Sequence, residues 1–276
     1  MLSLLLLLQI TCAPANCDKE QALGVRHPPI VSSLPTDAVP SDPVAGMSLW
    51  IDFGDPTKVF QDAALTTLAV ADNDPVRGVA DKSGNSRKMV MSGGYDPLLW
   101  RSVLRGCDAF RHDAVFPRLE ASGWNASSVC NATSCTIFLI GQVPAATDSI
   151  LMAGEGYWGV AYSPPGPSAI AGIWNGGSTD NAVLSPVVVD SSTHLVMMRL
   201  SPGFISVGID DVHDASLITV ATTGADATAM LQPFTTSYGV APYTARYQTL
   251  LIYKSSLTEA NALLVASWAR GRWGIP

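Results

Sequence analysis

Asp210, Asp211, His213 and Asp214 make the densest run of ionisable side chains in the chain. Several oxygens gathered around one point would suit calcium, and the competing reading is a solvated hairpin turn. Asp81 and Asn85 are a second pair of oxygen donors, in Asp81-Lys82-Ser83-Gly84-Asn85. Gly84 can take the positive φ that a tight turn needs, so a plain turn competes with a calcium loop there too. Tyr157, Trp158, Tyr162 and Trp174 have a different chemistry. Aromatic faces stack on apolar ring faces, sugars included, although the same residues serve equally as core. His194 sits in an apolar run and reads as a strand residue. No G-x-S-x-G elbow supports acyl transfer, and no glycine loop is built for phosphate. No CxxC or His/Cys cluster has zinc spacing.

Only 14% of the 276 residues are charged and 47% are hydrophobic, which suits a packed core and argues against disorder. A length of this order accommodates one large all-β domain or two small ones. The net charge of -7 disfavours nucleic acid and anionic membrane surfaces, both of which call for clustered Lys and Arg. Its plain reading is solubility.

Met1 to Ala15 reads as a secretory signal peptide. Leu2 to Ile10 is apolar but far short of the ~20 residues of a bilayer span, and Ala13-Pro14-Ala15 has a small-x-small cleavage pattern. The basic n-region is missing, which leaves an uncleaved anchor as the alternative. No membrane span is expected after cleavage, and the expected location is extracellular or surface-associated. Asn16 to Val44 carries Pro28, Pro29, Pro35, Pro40 and Pro43 and reads as an extended linker. Residues 45–276 then form the folded domain.

Cleavage after Ala15 removes Cys12 and leaves Cys17, Cys107, Cys130 and Cys135. Four cysteines in an exported protein allow three pairings. A local Cys130–Cys135 loop would leave Cys17 with Cys107, and free buried thiols are the alternative. Asn125-Ala126-Ser127 and Asn131-Ala132-Thr133 are sequons, which place this segment in a surface loop if the host glycosylates.

The elements that must position these residues are mostly strands. Residues 48–53, 76–80, 88–91 and 105–112 have strand character, with residues 54–74 mostly turn. Cys135 to Val143 is nearly all apolar and β-branched or aromatic, so it reads as a central strand. Residues 149–153 and 158–163 form a hairpin, followed by strands over 169–174 and 182–189. His194 to Leu200 is a strand, and residues 204–210 pair with 216–221. Thr249 to Tyr253 is a buried strand. Ser256-Leu257-Thr258-Glu259 then reads as a capping box, with Ser256 as N-cap and Glu259 reaching back, ahead of a helix rich in Ala and Leu.

Leu49-Trp50-Ile51-Asp52 with Asp55 resembles the opening "W-L-D-A-S-D" strand of concanavalin A-like, laminin-G-like jelly rolls. Asp81 to Asn85 is similar to their "D-K-S-G-N" turn. His194 to Leu200 resembles a "W-H-x-V" strand, and Ile205 to Asp210 an "L-Y-V-D-G" strand and turn. The C-terminal strand, helix and Trp273-Gly274 are similar to an ending in "K-W-G". The resemblance runs from about residue 49 to 275 and implies an all-β, two-sheet antiparallel sandwich with a short C-terminal helix. It also implies a secreted, non-catalytic domain whose partner is a glycan or glycosylated surface protein. Tyr157, Trp158, Tyr162 and Trp174 would form the sugar face, and calcium could join at Asp81, Asn85, Asp210 or Asp211. A structural or adhesion module without a sugar site is the second expectation, and a glycan-cleaving enzyme of the glucanase type with a diverged site is the third. Some such folds are glucanases that place "E-x-D-x-x-E" acids on one strand face. No such pattern occurs here, because Glu120, Glu155 and Glu259 are isolated from one another.

Overall fold

The computed structural model describes residues 44–92, 96–104, 107–112, 118–131, 134–142, 150–154, 158–163, 169–174, 182–188, 192–202, 204–210, 212–213, 231–233 and 245–275. The expected signal peptide and all of the expected linker but Val44 lie outside the described residues. So does the expected strand over 216–221.

The first third of the chain carries β1 (Met47–Asp52), β2 (Val59–Phe60), β3 (Gly78–Ala80), β4 (Lys88–Ser92), β5 (Leu98–Leu104), β6 (Cys107–His112) and β7 (Arg118–Ala121). The middle carries β8 (Cys135–Gln142), β9 (Ile150–Gly154), β10 (Trp158–Ser163), β11 (Ala169–Trp174) and β12 (Ala182–Val188). Then come β13 (Thr193–Ser201), β14 (Phe204–Ile209), β15 (Val212–His213), β16 (Leu231–Pro233) and β17 (Ala245–Tyr253), and the chain closes with the helix α1 (Glu259–Trp273).

All pairings among the described residues are antiparallel, and they make an all-β sandwich. One layer is an eight-stranded sheet ordered β15-β14-β13-β8-β17-β6-β5, with β1 also on β17. β17 is long enough to hold two partners on one edge: Ala245–Tyr247 pair with β6, and Thr249–Tyr253 with β1. The opposite layer is divided into a four-stranded sheet, β2-β3-β4-β7, and a five-stranded sheet, β12-β11-β10-β9-β16. The two adjoin where β16 lies beside β7, and β11 and β12 lie over β14.

Alternation explains the core, and it also explains why the central strands read as unbroken apolar runs. Leu49, Ile51, Ile137, Leu139, Val196, Met198, Leu250 and Ile252 face the opposite layer, where they meet Val59, Val79, Met89 and Leu119. The intervening Trp50, Phe138, Ile140, Leu195, Met197, Leu251 and Tyr253 face the other way and are covered by α1. A strand buried on both faces has no polar side to show in its sequence. The helix meets the sheet through Ala262, Val265, Ala266, Ala269 and Trp273, whose spacing forms one stripe.

The helix begins later than the sequence suggests. Thr258, not Ser256, is the N-cap, and its hydroxyl accepts from the Asn261 amide at 3.3 Å. The two residues before it are held extended: the Ser256 amide donates to Ser134 Oγ at 2.6 Å, and the Leu257 amide to Thr136 Oγ1 at 2.8 Å. Glu259 is the first helical residue and pairs with Arg199 of β13 instead of reaching back. Gly274 closes the helix at φ 64°, a conformation glycine adopts without a Cβ penalty. Strands β2, β5, β7, β15 and β16 are not expected from the sequence, and β14 pairs with β13 and with the short β15.

Two substitutions separate the helix's own stability from that of the surface it covers. Thr258→Ala removes a cap and costs about 1 kcal/mol. Phe138→Ala opens a cavity between sheet and helix and costs ~3–5 kcal/mol. Urea denaturation of both variants checks the order, and equal losses would contradict the packing described.

Candidate functional site

Three of the four predicted aromatic positions, 158, 162 and 174, lie on the β10–β11 hairpin. The two strands pair without a bulge from Trp158↔Trp174 through Tyr162↔Ile170 to Ser163↔Ala169. Directly opposed residues share a side of an antiparallel pair, as do alternate residues along one strand. Positions 158, 162 and 174 therefore lie on one face, with 158 and 174 as cross-strand neighbours. From 158 to 162 the strand rises ~13 Å. Tyr157 lies outside the described residues. This hairpin belongs to the five-stranded sheet, whereas α1 packs on the eight-stranded one.

The Asp81–Asn85 turn closes the free edge of β1. Asp81 is buried, and its Oδ1 accepts from the Trp50 amide at 2.9 Å and the Ser83 amide at 2.8 Å. Its Oδ2 accepts from Ser83 Oγ at 2.7 Å. The Lys82 amide donates to the Trp50 carbonyl at 2.9 Å. Asn85 Nδ2 donates to the Ser48 carbonyl at 3.1 Å, and the Arg87 guanidinium reaches the same oxygen. The side chains of Asp81 and Asn85 are thus engaged in holding the turn against the strand.

Beside this turn lies a buried ionic and aromatic cluster. Lys82 Nζ sits 2.9 Å from both Asp52 Oδ2 and Asp55 Oδ2, and Arg272 reaches Asp52 from the helix at 3.4 Å. Lys82 Nζ also stands 4.6 Å from the centroid of the Trp50 ring. Trp50 meets Trp268 edge-on at 5.6 Å, and Trp268 meets Trp273 at 5.5 Å. Opposite charges and ring faces here tie β1, the turn and α1 together. Burial works to raise the Asp55 carboxyl, but hydrogen bonds from Lys82 and Thr57 and the charge of Lys82 outweigh it and hold the group below its ordinary value.

Asp210 occupies the left-handed region, φ 55°, at the turn after β14. Its Oδ1 accepts from the Leu195 amide at 2.9 Å, and its own amide donates to the Leu195 carbonyl at 2.8 Å. Its Oδ2 lies 2.8 Å from His194 Nδ1, and His194 Nε2 lies 3.2 Å from Ser192 Oγ. Sequence reasoning missed this link. The hairpin register could have found it, since Val196 opposite Ile209 puts Leu195 and His194 next to Asp210. Asp211 and Asp214 lie outside the described residues. His213 ends the short strand β15, opposite Gly208. No group of three or more His, Cys, Asp or Glu side chains placed to hold a metal ion occurs among the described residues.

Cys130 and Cys135 are joined by a disulfide with Cα atoms 5.1 Å apart, which closes the turn leading into β8. Cys107 begins β6, and Cys17 lies outside the described residues. Asn125 caps a short 3-10 turn, Ala126–Ser128, where its Oδ1 accepts from Ser127 Oγ at 2.7 Å. Asn131 is exposed at the edge of the disulfide turn. Glu120 lies on β7 and Glu259 at the start of α1, while Glu155 is outside the described residues.

No family model and no curated protein matches the chain. Solved structures do. The binding domain of Paraclostridial Mosquitocidal Protein 1 aligns with a TM-score of 0.56 and 12% identity over 81% of this chain and 52% of that one. Trypanosoma rangeli sialidase in complex with sialic acid aligns with a TM-score of 0.53 and 12% identity, covering 83% of this chain and 34% of that one. The botulinum neurotoxin serotype D binding domain aligns with a TM-score of 0.53 and 7% identity, over 81% and 52%. The chain thus spans from a third to about half of the structures it matches. The likeness is one of fold alone: an antiparallel β-sandwich.

The ionic cluster yields two measurements. Lys82→Met leaves Asp52 buried beside a more distant cation, and breaking such a pair costs ~3–5 kcal/mol. Guanidinium denaturation at neutral pH checks this, and a loss under about 1 kcal/mol would place the pair with ordinary surface bridges. A carboxyl depressed in the folded state contributes stability above its unfolded value of 3.8, and this is lost as pH falls through the lower folded value. Stability of the wild type should therefore fall more steeply than that of Asp55→Asn over acidification from about pH 5 to about pH 3. Parallel slopes would show that Asp55 contributes nothing.

Proposed function

We propose that this chain is an exported carbohydrate- or glycoprotein-binding domain of the concanavalin A-like, laminin-G-like kind. The observation that carries the reading is the register of the β10–β11 hairpin, which sets Trp158 and Trp174 opposite one another with Tyr162 on the same face. Aromatic rings in a row offer successive stacking platforms, and apolar sugar faces fit them without fixed charges. The ~13 Å between positions 158 and 162 exceeds one sugar ring, so the occupant is an oligosaccharide chain. The acidic balance of the protein points the same way, towards a neutral or glycosylated partner and away from nucleic acid. The short apolar N-terminal stretch, the disulfide and the two sequons support an extracellular or surface-associated location.

A glycan-array screen of residues 16–276, with and without calcium, tests the reading. A hit should be confirmed by calorimetry with Trp158→Ala and Trp174→Ala. Each variant is expected to lose at least about tenfold in affinity, about 1.4 kcal/mol, while keeping the wild-type melting temperature. Binding to no glycan, or affinity unchanged in both variants, would overturn the proposal in favour of a structural or adhesion module.

A further inference from the structure

Ser192, His194 and Asp210 form one hydrogen-bonded chain at the start of β13. Ser192 Oγ stands 3.2 Å from His194 Nε2, and His194 Nδ1 stands 2.8 Å from Asp210 Oδ2. Each ring nitrogen has its own neighbour. The carboxylate accepts the Nδ1 proton, which leaves the Nε2 lone pair directed at the serine hydroxyl. That is the tautomer a general base requires. The carboxylate is itself fixed, because its second oxygen accepts from the Leu195 amide and the Asp210 backbone exchanges a further bond with Leu195. The imidazole is buried, while Ser192 is exposed. A rigid, largely dry base behind an accessible hydroxyl is the arrangement that activates serine as a nucleophile.

We propose that Ser192 is an acyl-accepting nucleophile, with His194 as its general base and Asp210 as the positioning residue, and that the group hydrolyses carboxylic esters presented at the surface. Ser192 Oγ would bond to the ester carbonyl carbon as its proton passes to His194 Nε2. The carbon–oxygen bond to the alcohol would then break, and the alcohol would leave with that proton. Water would attack the acyl-serine, returning a proton through Nε2, and release the acid with Ser192 restored. The sum is ester plus water giving acid plus alcohol, and no other reactant is needed. This inference does not rest on glycan binding, since the hairpin aromatics take no part in it.

A fluorophosphonate probe, which reports an activated serine by covalent capture, gives the direct test. Intact mass and peptide mapping of the full chain should show a single adduct on Ser192, and p-nitrophenyl acetate hydrolysis should saturate with substrate. Ser192→Ala, an exposed substitution, should keep the wild-type melting temperature and lose both labelling and at least about tenfold of the hydrolysis rate. Asp210→Asn, which preserves an acceptor for the Leu195 amide, should lower kcat with little change in KM. Absence of an adduct on Ser192 in the folded wild type, or equal hydrolysis by wild type and Ser192→Ala, would overturn the proposal and leave the three residues as a lock on the β13–β14 hairpin. Glycan binding without labelling would sink this inference alone; labelling without glycan binding would sink only the hairpin reading.

Discussion

Among the described residues the first strand, β1, pairs with another strand along one edge, and side chains close the other. β1 pairs with β17, and on its free side Asp81, Asn85 and Arg87 take the main-chain groups of Trp50 and Ser48 that a further strand would have taken. An exposed strand edge is a template for unwanted pairing, and a polar turn laid along it removes that hazard. The arrangement also fixes position. Lys82 stands at the turn with Asp52 and Asp55 on one side and the Trp50 ring on the other, so turn, strand and helix locate one another. β1 is thus joined to α1 across more than two hundred residues.

The two layers differ. The central strands of the eight-stranded sheet, β1, β17, β8 and β13, are covered on both faces, by the opposite layer and by α1. The five-stranded sheet, in the other layer, contains the β10–β11 hairpin on which the proposed glycan site depends. A site placed there would inherit its geometry from strand register, which is more exact than a loop can supply. The Ser192–His194–Asp210 chain lies at the start of the β13–β14 hairpin, again where strand register sets distances.

The turn and the helix near the two ends of the described domain are legible in the sequence because each is formed by residues close together in the chain; the contacts that join them are not. A turn reading Asp-Lys-Ser-Gly-Asn can be recognised from five residues, and a helix from its run of Ala and Leu; which face it buries cannot, since Leu263 and Leu264 fall at helical spacing yet are exposed while Ala262, Val265, Ala266 and Ala269 pack on the sheet. The N-cap was misplaced by two residues because what delays the helix is Ser134 and Thr136, more than a hundred positions away, holding Ser256 and Leu257 extended. Strands β5, β7 and β16 were missed for the same reason: each is short or mixed in composition and owes its strand to a distant partner. The division of the second layer into two sheets has no sequence signal at all. The aromatic residues could be named in advance, but their common face follows from a register that only pairing reveals. Asp210 reads from the sequence as an acid in a cluster, whereas its contact with His194 comes from the hairpin that brings together two residues sixteen positions apart.

Amide hydrogen exchange at Trp50 tests the closure of β1 most directly. The Trp50 amide points away from β17 and has the Asp81 carboxylate as its acceptor, so it should exchange as slowly as the amides of β8 and become fast in Asp81→Ala while β8 stays protected. Fast exchange at Trp50 in the wild type, or a rate indifferent to Asp81, would contradict the claim that this turn closes the sheet.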